Sequence, residues 1–251
     1  MRAGQRSLAL LVFLLALVCS RGAEAGTTRR VSVTNEGAQT FYDSWNPVVS
    51  ADGHYVAFES LSRILVDGDT NEAWDIFVWD RLKEEVTRVS VGLGGTQVNG
   101  DSRYPAISWD GRYVAFQSRG QVFVHDRAIS YTSQVSVTTG GMGGDGPSSN
   151  PAISADGRYV AFHSSADNLD PLTYKPGAYV HDRATGETVR VSISSNGFVR
   201  VGGGDPAISG DGLYVAFVYA DIDDDPELVA NDQNRASDVF VHDRSTGYTL
   251  R

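Results

Sequence analysis

The stretch "SADGHYVAFES", residues 50–60, is written three more times with small changes: "SWDGRYVAFQS" at 108–118, "SADGRYVAFHS" at 154–164 and "SGDGLYVAFVY" at 209–219. The Asp-Gly pairs begin at Asp52, Asp110, Asp156 and Asp211, spaced by 58, 46 and 55 residues. Self-similarity at such a period marks a repeat architecture. Within each copy Tyr and Ala alternate with Val and Phe, the two-residue period of a strand. Asp-Gly between apolar runs predicts a type I′ hairpin, whose two central residues both need positive φ. The "PVVS" or "PAIS" before the pair and the "YVAF" after it are therefore neighbouring antiparallel strands.

Further along each unit comes "DIFVWDR" (75–81), "QVFVHDR" (121–127), "GAYVHDR" (177–183) or "DVFVHDR" (238–244). Three units then add "TRVSV" (87–91), "SQVSV" (133–137) or "VRVSI" (189–193). These are strand-length runs of Val, Ile, Phe and Tyr bounded by turn residues. The Asp of the shared motif (Asp80, Asp126, Asp182, Asp243) is expected to cap the following turn through its side chain. No apolar segment of helical period follows the first 25 residues. The chain is all-β, and each unit reads as a four-stranded meander A–B–C–D, the form of a propeller blade. The blades fall at 36–91, 92–137, 138–193 and 194–251 of a domain spanning 26–251.

The opening "TTRRVSVTN" (27–35) matches the outer-strand stretch "TVRVSISSN" (188–196). It is expected to supply the outer strand of the last blade, a clasp that leaves no free edge at the junction. Two other arrangements stay open: a part of a longer product, or association of four-blade units.

"PAISADGRYVAF", "DVFVHDR" and "TRVSV" resemble the WD40-like or TolB-type propeller repeats (PD40) of bacterial secreted proteins, and "GDTNEAWDIFVWDR" is similar to the "GDTN…DVFVxDR" units of that group. The resemblance covers essentially all of 26–251 and implies a β-propeller. It implies no particular activity, because propellers host binding and catalysis alike. Unit two departs from the pattern with only "SRGQ" (118–121), and unit three has "LDPLTYKPG" (169–177) in place of "GDTN".

In a meander the A–B and C–D turns share one face, and the B–C and D–A connections share the other. The latter are long and differ between blades: 61–74, 165–176 and 220–237 within blades, 138–150 between them. Variable loops on a rigid scaffold are where binding resides. Asn46, Tyr104, Asn150 and Asp205 precede the strand-A prolines and form a candidate ligand-binding ring at the channel mouth. The competing reading is that Asn and Asp merely suit a loop before Pro.

Asp67, Asp69, Asn71 and Asp75 in "DGDTNEAWD" alternate short oxygen side chains along a Gly-containing loop, a pattern that suits calcium. Asp232, Asn234 and Asp238 repeat it in part. Asx turns that cap their own backbone explain the same residues. The sequence carries no Gly-x-Ser-x-Gly, no His-Glu-x-x-His and no paired cysteines. His125, His181 and His242 share one repeat position, where unit one has Trp79, so packing or turn support explains them better than catalysis.

Arg2 and Arg6 precede an apolar run, Leu8 to Val18, that is too short to cross a bilayer as a helix. The exit Ala23-Glu24-Ala25 completes a secretory leader cleaved after Ala25. Lipidation at Cys19 fits less well, because Val18 stands where such signals want a small residue. Cys19 is the only cysteine, so the mature chain holds no disulfide. Loss of the leader takes the net charge from −10 to −12, which argues against a nucleic-acid partner.

The expectation is a secreted or periplasmic, non-catalytic propeller that binds a protein or glycan on its variable-loop face. A hydrolase using loop acids at the channel mouth, and a structural module that closes by oligomerising, are the rival readings. Apart from calcium, no cofactor is expected.

Overall fold

A computed structural model describes residues 28–173, 176–195, 197, 202–220 and 236–250. The leader with Cys19, and the proposed ligands Asp232 and Asn234, lie outside the described residues. Among the described residues sixteen strands form four antiparallel sheets, each in simple sequential order. Blade 1 holds β1 (Ser44–Val49), β2 (Tyr55–Ser60), β3 (Asp75–Asp80) and β4 (Glu85–Arg88). Blade 2 holds β5 (Ser102–Ile107), β6 (Tyr113–Ser118), β7 (Gln121–Asp126) and β8 (Tyr131–Gln134). Blade 3 holds β9 (Ser148–Ile153), β10 (Tyr159–Ser164), β11 (Gly177–Asp182) and β12 (Glu187–Arg190). Blade 4 holds β13 (Gly204–Ile208), β14 (Tyr214–Ala220), β15 (Ser237–Asp243) and β16 (Tyr248–Leu250). No helix among the described residues is long and apolar enough to cross a membrane.

The strand period decides which blade each side chain meets. From blade 1, Ala57, Ile76, Val78 and Val89 pack against Val114 and Phe116 of blade 2. Ala115, Val122, Val124 and Val135 meet Val160, Phe162 and Tyr179 of blade 3. Ala161, Ala178, Val180 and Val191 meet Val215, Phe217 and Phe240 of blade 4. One face of "YVAF" thus serves the preceding neighbour and the other the following one. Each Phe stacks on the aromatic opposite it in strand C, with centroids 5.9 Å apart for Phe58–Phe77 and 6.0 Å for Phe162–Tyr179. Full burial of such a side chain contributes about 1.5–3 kcal/mol.

The A–B hairpin differs from the expected type I′ turn. Gly53, Gly111, Gly157 and Gly212 take φ between 70° and 74°, but the Asp before each keeps negative φ. The serine opening the loop explains why. Ser108 accepts the Gly111 N–H at its carbonyl (3.0 Å), and its Oγ accepts the Tyr113 N–H (2.9 Å) while donating to Asp110 (2.8 Å). Asp110 in turn accepts the Arg112 N–H at 3.0 Å. The longer loop thereby satisfies its own polar groups, and only the glycine enters left-handed space.

The clasp is also corrected. Blade 4 takes its outer strand from β16, in its own continuation of the chain, and not from the N-terminal stretch. Val31–Asn35 lie on blade 1 instead. Asn35 holds the Val86 backbone from both sides, accepting its N–H at 2.7 Å and donating to its carbonyl at 3.4 Å. Val33 bridges to Gln39, just as Val91 bridges to Gln97 and Val137 to Gly143. The segment therefore sits on blade 1 as the end of one blade's outer strand sits on the next.

The "VHDR" motif behaves as expected. Asp80, Asp126, Asp182 and Asp243 each accept the N–H two residues ahead, at 2.8–3.0 Å. His125, His181 and His242 bond through Nδ1 to Thr132, Thr188 and Thr249 at 2.8–2.9 Å. Each threonine hydroxyl donates in turn to a backbone carbonyl at the end of the preceding blade, that of Val91, Val137 or Ile193. In blade 1, Trp79 and Val86 take the places of His and Thr, an apolar pair for a polar one.

Candidate ligand site at the channel mouth

Strand A of every blade carries a register break at its proline: between Trp45 and Val48, Arg103 and Ala106, and Gly204 and Ala207, with the matching break in β9 opposite Ala161 and His163. The residue before each proline sits in left-handed space, with φ of 49° at Asn46, 56° at Tyr104, 52° at Asn150 and 45° at Asp205. Asn and Asp tolerate this region; Tyr does so at greater strain. The extra residue bends the strand and aims four side chains inward. Together with Pro47, Pro105, Pro151 and Pro206 they line a cavity of about 360 Å³. The predicted ring is therefore assembled.

Asn150 Nδ2 donates to Asp205 Oδ1 at 2.6 Å, tying blade 3 to blade 4. Between blades 1 and 2 the Tyr104 N–H donates to Glu59 Oε2 at 2.8 Å. The other oxygen of the buried Glu59 pairs with Arg103 Nε at 3.2 Å. The Arg103 guanidinium lies 4.1 Å from the centroid of the Trp74 ring. Trp45 and Tyr104 stay exposed beside the opening. The register of Ser44 with Ser60, Ser102 with Ser118 and Ser148 with Ser164 puts the cavity on the face that carries the B–C inserts.

A second set of residues escaped the sequence reading. The position after "YVAF" holds Glu59, Gln117, His163 and Val218, each in register with the residue just ahead of a ring member: Trp45, Arg103, Ser149 and Gly204. His163 is pushed toward the neutral form by burial, and Asp205 opposes that shift. Gln117 Oε1 is buried without a hydrogen-bond partner. The signal was present in the sequence: this is the one position of the repeated phrase that differs in all four copies.

The acidic insert folds around a cation of the protein's own. Arg88 Nη1 lies 3.3 Å from Asp69 Oδ1 and 3.7 Å from Asp75 Oδ2. Gln97 also donates to Asp69, and Ser90 and Asn71 donate to Asp75. Asn71 Oδ1 caps the Ala73 N–H. Burial pushes the Asp75 carboxyl up to about 6, against the Ser90 hydrogen bond. Burial raises Asp69 as well, and Arg88 counters it. Asp67 is exposed and outside this network. Asp238 is the second residue of β15 in blade 4, whereas the first set belongs to blade 1. Among the described residues no group of three or more His, Cys, Asp or Glu could hold a metal ion.

Four antiparallel four-stranded blades, each packed face to face on the next with the A strands innermost, make this fold a β-propeller of the TolB type. TolB from Acinetobacter baumannii is similar at a TM-score of 0.52 and 16% identity, covering 85% of this chain and 43% of that one. A putative TolB from Agrobacterium tumefaciens gives 0.51 and 17%, covering 82% and 63%. The tricorn protease gives 0.50 and 14%, covering 78% and 17%. The chain thus spans less than two thirds of each of these proteins, and at such identity the likeness concerns the fold alone. No family model and no curated protein matches the sequence.

Proposed function

We propose that the chain is an extracytoplasmic binding scaffold that takes a glycan at the mouth of the propeller channel. The leader-like residues 1–25 and the fold shared with TolB support an extracytoplasmic site of action. The observation that carries the ligand is the ring. Two carboxamides, a phenol and a carboxylate converge on one cavity, each held by a strained X-Pro step. Strain repeated around a cavity accompanies ligand sites that are shaped in advance. Donors and acceptors in alternation suit the hydroxyls of a sugar, and the exposed Trp45 and Tyr104 offer flat apolar surfaces on which a sugar ring stacks.

The test is an oligosaccharide array followed by calorimetry on each hit. Tyr104→Ala and Asp205→Asn should each weaken a true ligand at least about tenfold, the effect of losing one well-placed contact. Hits indifferent to both substitutions refute the mouth as the site. The hydrolase reading is examined in the same samples: sugar release abolished by Asp205→Asn would replace binding with turnover.

A further inference from the structure

The three internal junctions are built alike. The Tyr55 ring fills the space beside Gly111, where a Cβ would stand only 2.0 Å from it. Tyr113 does the same at Gly157 and Tyr159 at Gly212, each at 2.1 Å. An arginine of the following blade closes over the ring: Arg127 on Tyr55, Arg183 on Tyr113 and Arg244 on Tyr159, at 4.2–4.3 Å. A valine at the end of strand D completes each junction by donating to strand C of its own blade. These bonds run from Val89 to Ile76, Val135 to Val122 and Val191 to Ala178, at 2.8–2.9 Å.

The terminal blades hold the two halves of a fourth such junction. Blade 4 offers the ring and the apolar face. Tyr214 is 46% exposed. Val239 and Val241 are 59% and 37% exposed, whereas their counterparts Ile76, Val78, Val122, Val124, Ala178 and Val180 are all at 0%. Blade 1 offers the slot. Nothing lies within 4 Å of a Cβ built on Gly53, Arg81 beside it is exposed, and Val49 is 61% exposed. Blade 1 also carries Val31, packed on its Phe58 and Phe77 cluster where every other blade receives a strand-D valine of its predecessor.

We infer that a second copy of this chain covers the free face of blade 4. Tyr214 of one copy enters the slot between Gly53 and Arg81 of the other, and Val31–Val33 of that second copy extend β16 beside Val239. The occupant has to supply a left-handed glycine, an arginine and a Val-Ser-Val edge in fixed register, and blade 1 of this same chain supplies all three. Within one chain the two halves stay apart, each exposed. A head-to-tail contact either closes a ring or propagates. Two copies joined twice close their eight described blades into one ring.

Sedimentation equilibrium of the chain at micromolar concentration tests this. The wild type should run at twice the chain mass. Val239→Asp spoils the blade 4 face; Gly53→Asn fills the slot with a residue that tolerates left-handed φ. Each variant alone should run as a monomer with an unchanged circular dichroism spectrum. Mixed together they should form a dimer again, because each retains the half that the other lost. A monomeric wild type overturns the inference, as does a dimer that survives both substitutions. Larger open oligomers abolished by either substitution keep the junction and overturn the eight-blade ring.

Discussion

Arg183 lies over Tyr113, a residue of the preceding blade, with its guanidinium carbon 4.3 Å from the ring centroid. Arg183 Nη1 also donates to the Gly157 carbonyl at 2.6 Å, so one side chain holds the turn of its own blade and the ring of its neighbour. This relationship joins the two most repeated phrases in the chain. "DG" makes the slot, "YVAF" fills it and "VHDR" covers it.

Substitution at the slot glycine therefore combines two penalties. Gly157→Ala places a Cβ 2.1 Å from Tyr113 and forces alanine to φ near 74°. Overpacking costs about 1–3 kcal/mol and left-handed alanine about 1–2 kcal/mol, so a loss of about 2–5 kcal/mol is expected in urea unfolding. Gly186→Ala is the control, since φ is 78° there with nothing within 4 Å. Its loss should stay at about 1–2 kcal/mol. Equal losses at the two sites would show that the ring contributes nothing.

The buried histidines make stability depend on pH with a definite sign. Burial lowers the pKa of His125, His181 and His242. Each threonine partner uses its hydroxyl proton on a backbone carbonyl, so the imidazole donates from Nδ1, and burial favours its neutral form. The unfolded chain takes up protons below about pH 6.5 while the folded chain resists. The contribution is complete above that pH and is lost as pH falls through the lower folded values. Copying the Trp79–Val86 pair of blade 1 into blade 3, as His181→Trp with Thr188→Val, should flatten this slope in urea midpoints measured between neutral and mildly acidic pH. An unchanged slope in the double variant would remove His181 as a source.

Most of the fold was legible because each blade repeats one side-chain code. A two-residue period, a turn and a polar motif written four times leave little freedom in strand pairing. The ring of Asn46, Tyr104, Asn150 and Asp205 was legible for the same reason, since a fixed offset from a repeated proline fixes a place in space. Three features were not. The type I′ expectation failed because it weighed Asp-Gly and ignored the serine two residues earlier, whose hydroxyl reshapes the loop. The clasp failed because sequence similarity between 27–35 and a D strand says what the segment imitates and not which blade it lies on. Arg88 was missed as the partner of the acidic insert because the strand register that brings it beside Asp75 is a tertiary fact. It stands opposite Phe77 in the β3–β4 ladder.

That arginine sets the expectation for calcium. Asp69 and Asp75 already face a guanidinium, and Asn71 turns its amide nitrogen toward Asp75. A hard cation has to displace Arg88 from a largely buried position to gain those oxygens. Thermal melts of the wild type in millimolar calcium and in chelator should coincide. Arg88→Met removes the competing charge and leaves two carboxylates uncompensated. It should lower the melting temperature in chelator and recover part of the loss in calcium, more than in magnesium, which demands tighter octahedral geometry. A calcium-dependent rise in the wild type that Asp69→Ala removes would instead establish the loop as a native calcium site.

Tyr104 separates stability from recognition. It is the only member of the ring that is neither Asn nor Asp, and it occupies φ of 56°. A bulky residue in left-handed space carries strain of about 1–2 kcal/mol. The Tyr104 backbone N–H, which bonds Glu59, survives any substitution other than proline. The phenol ring is 46% exposed and contributes little to the core. Tyr104→Asn, the residue that blades 1 and 3 use at this place, should therefore leave stability unchanged or raise it by up to about 1 kcal/mol in urea unfolding. The same variant removes the aromatic surface from the mouth and should weaken glycan binding at least about tenfold. A variant that is both destabilised and fully competent in binding would mean that the Tyr104 ring packs for the fold and that the strained X-Pro steps serve the strand bulge alone.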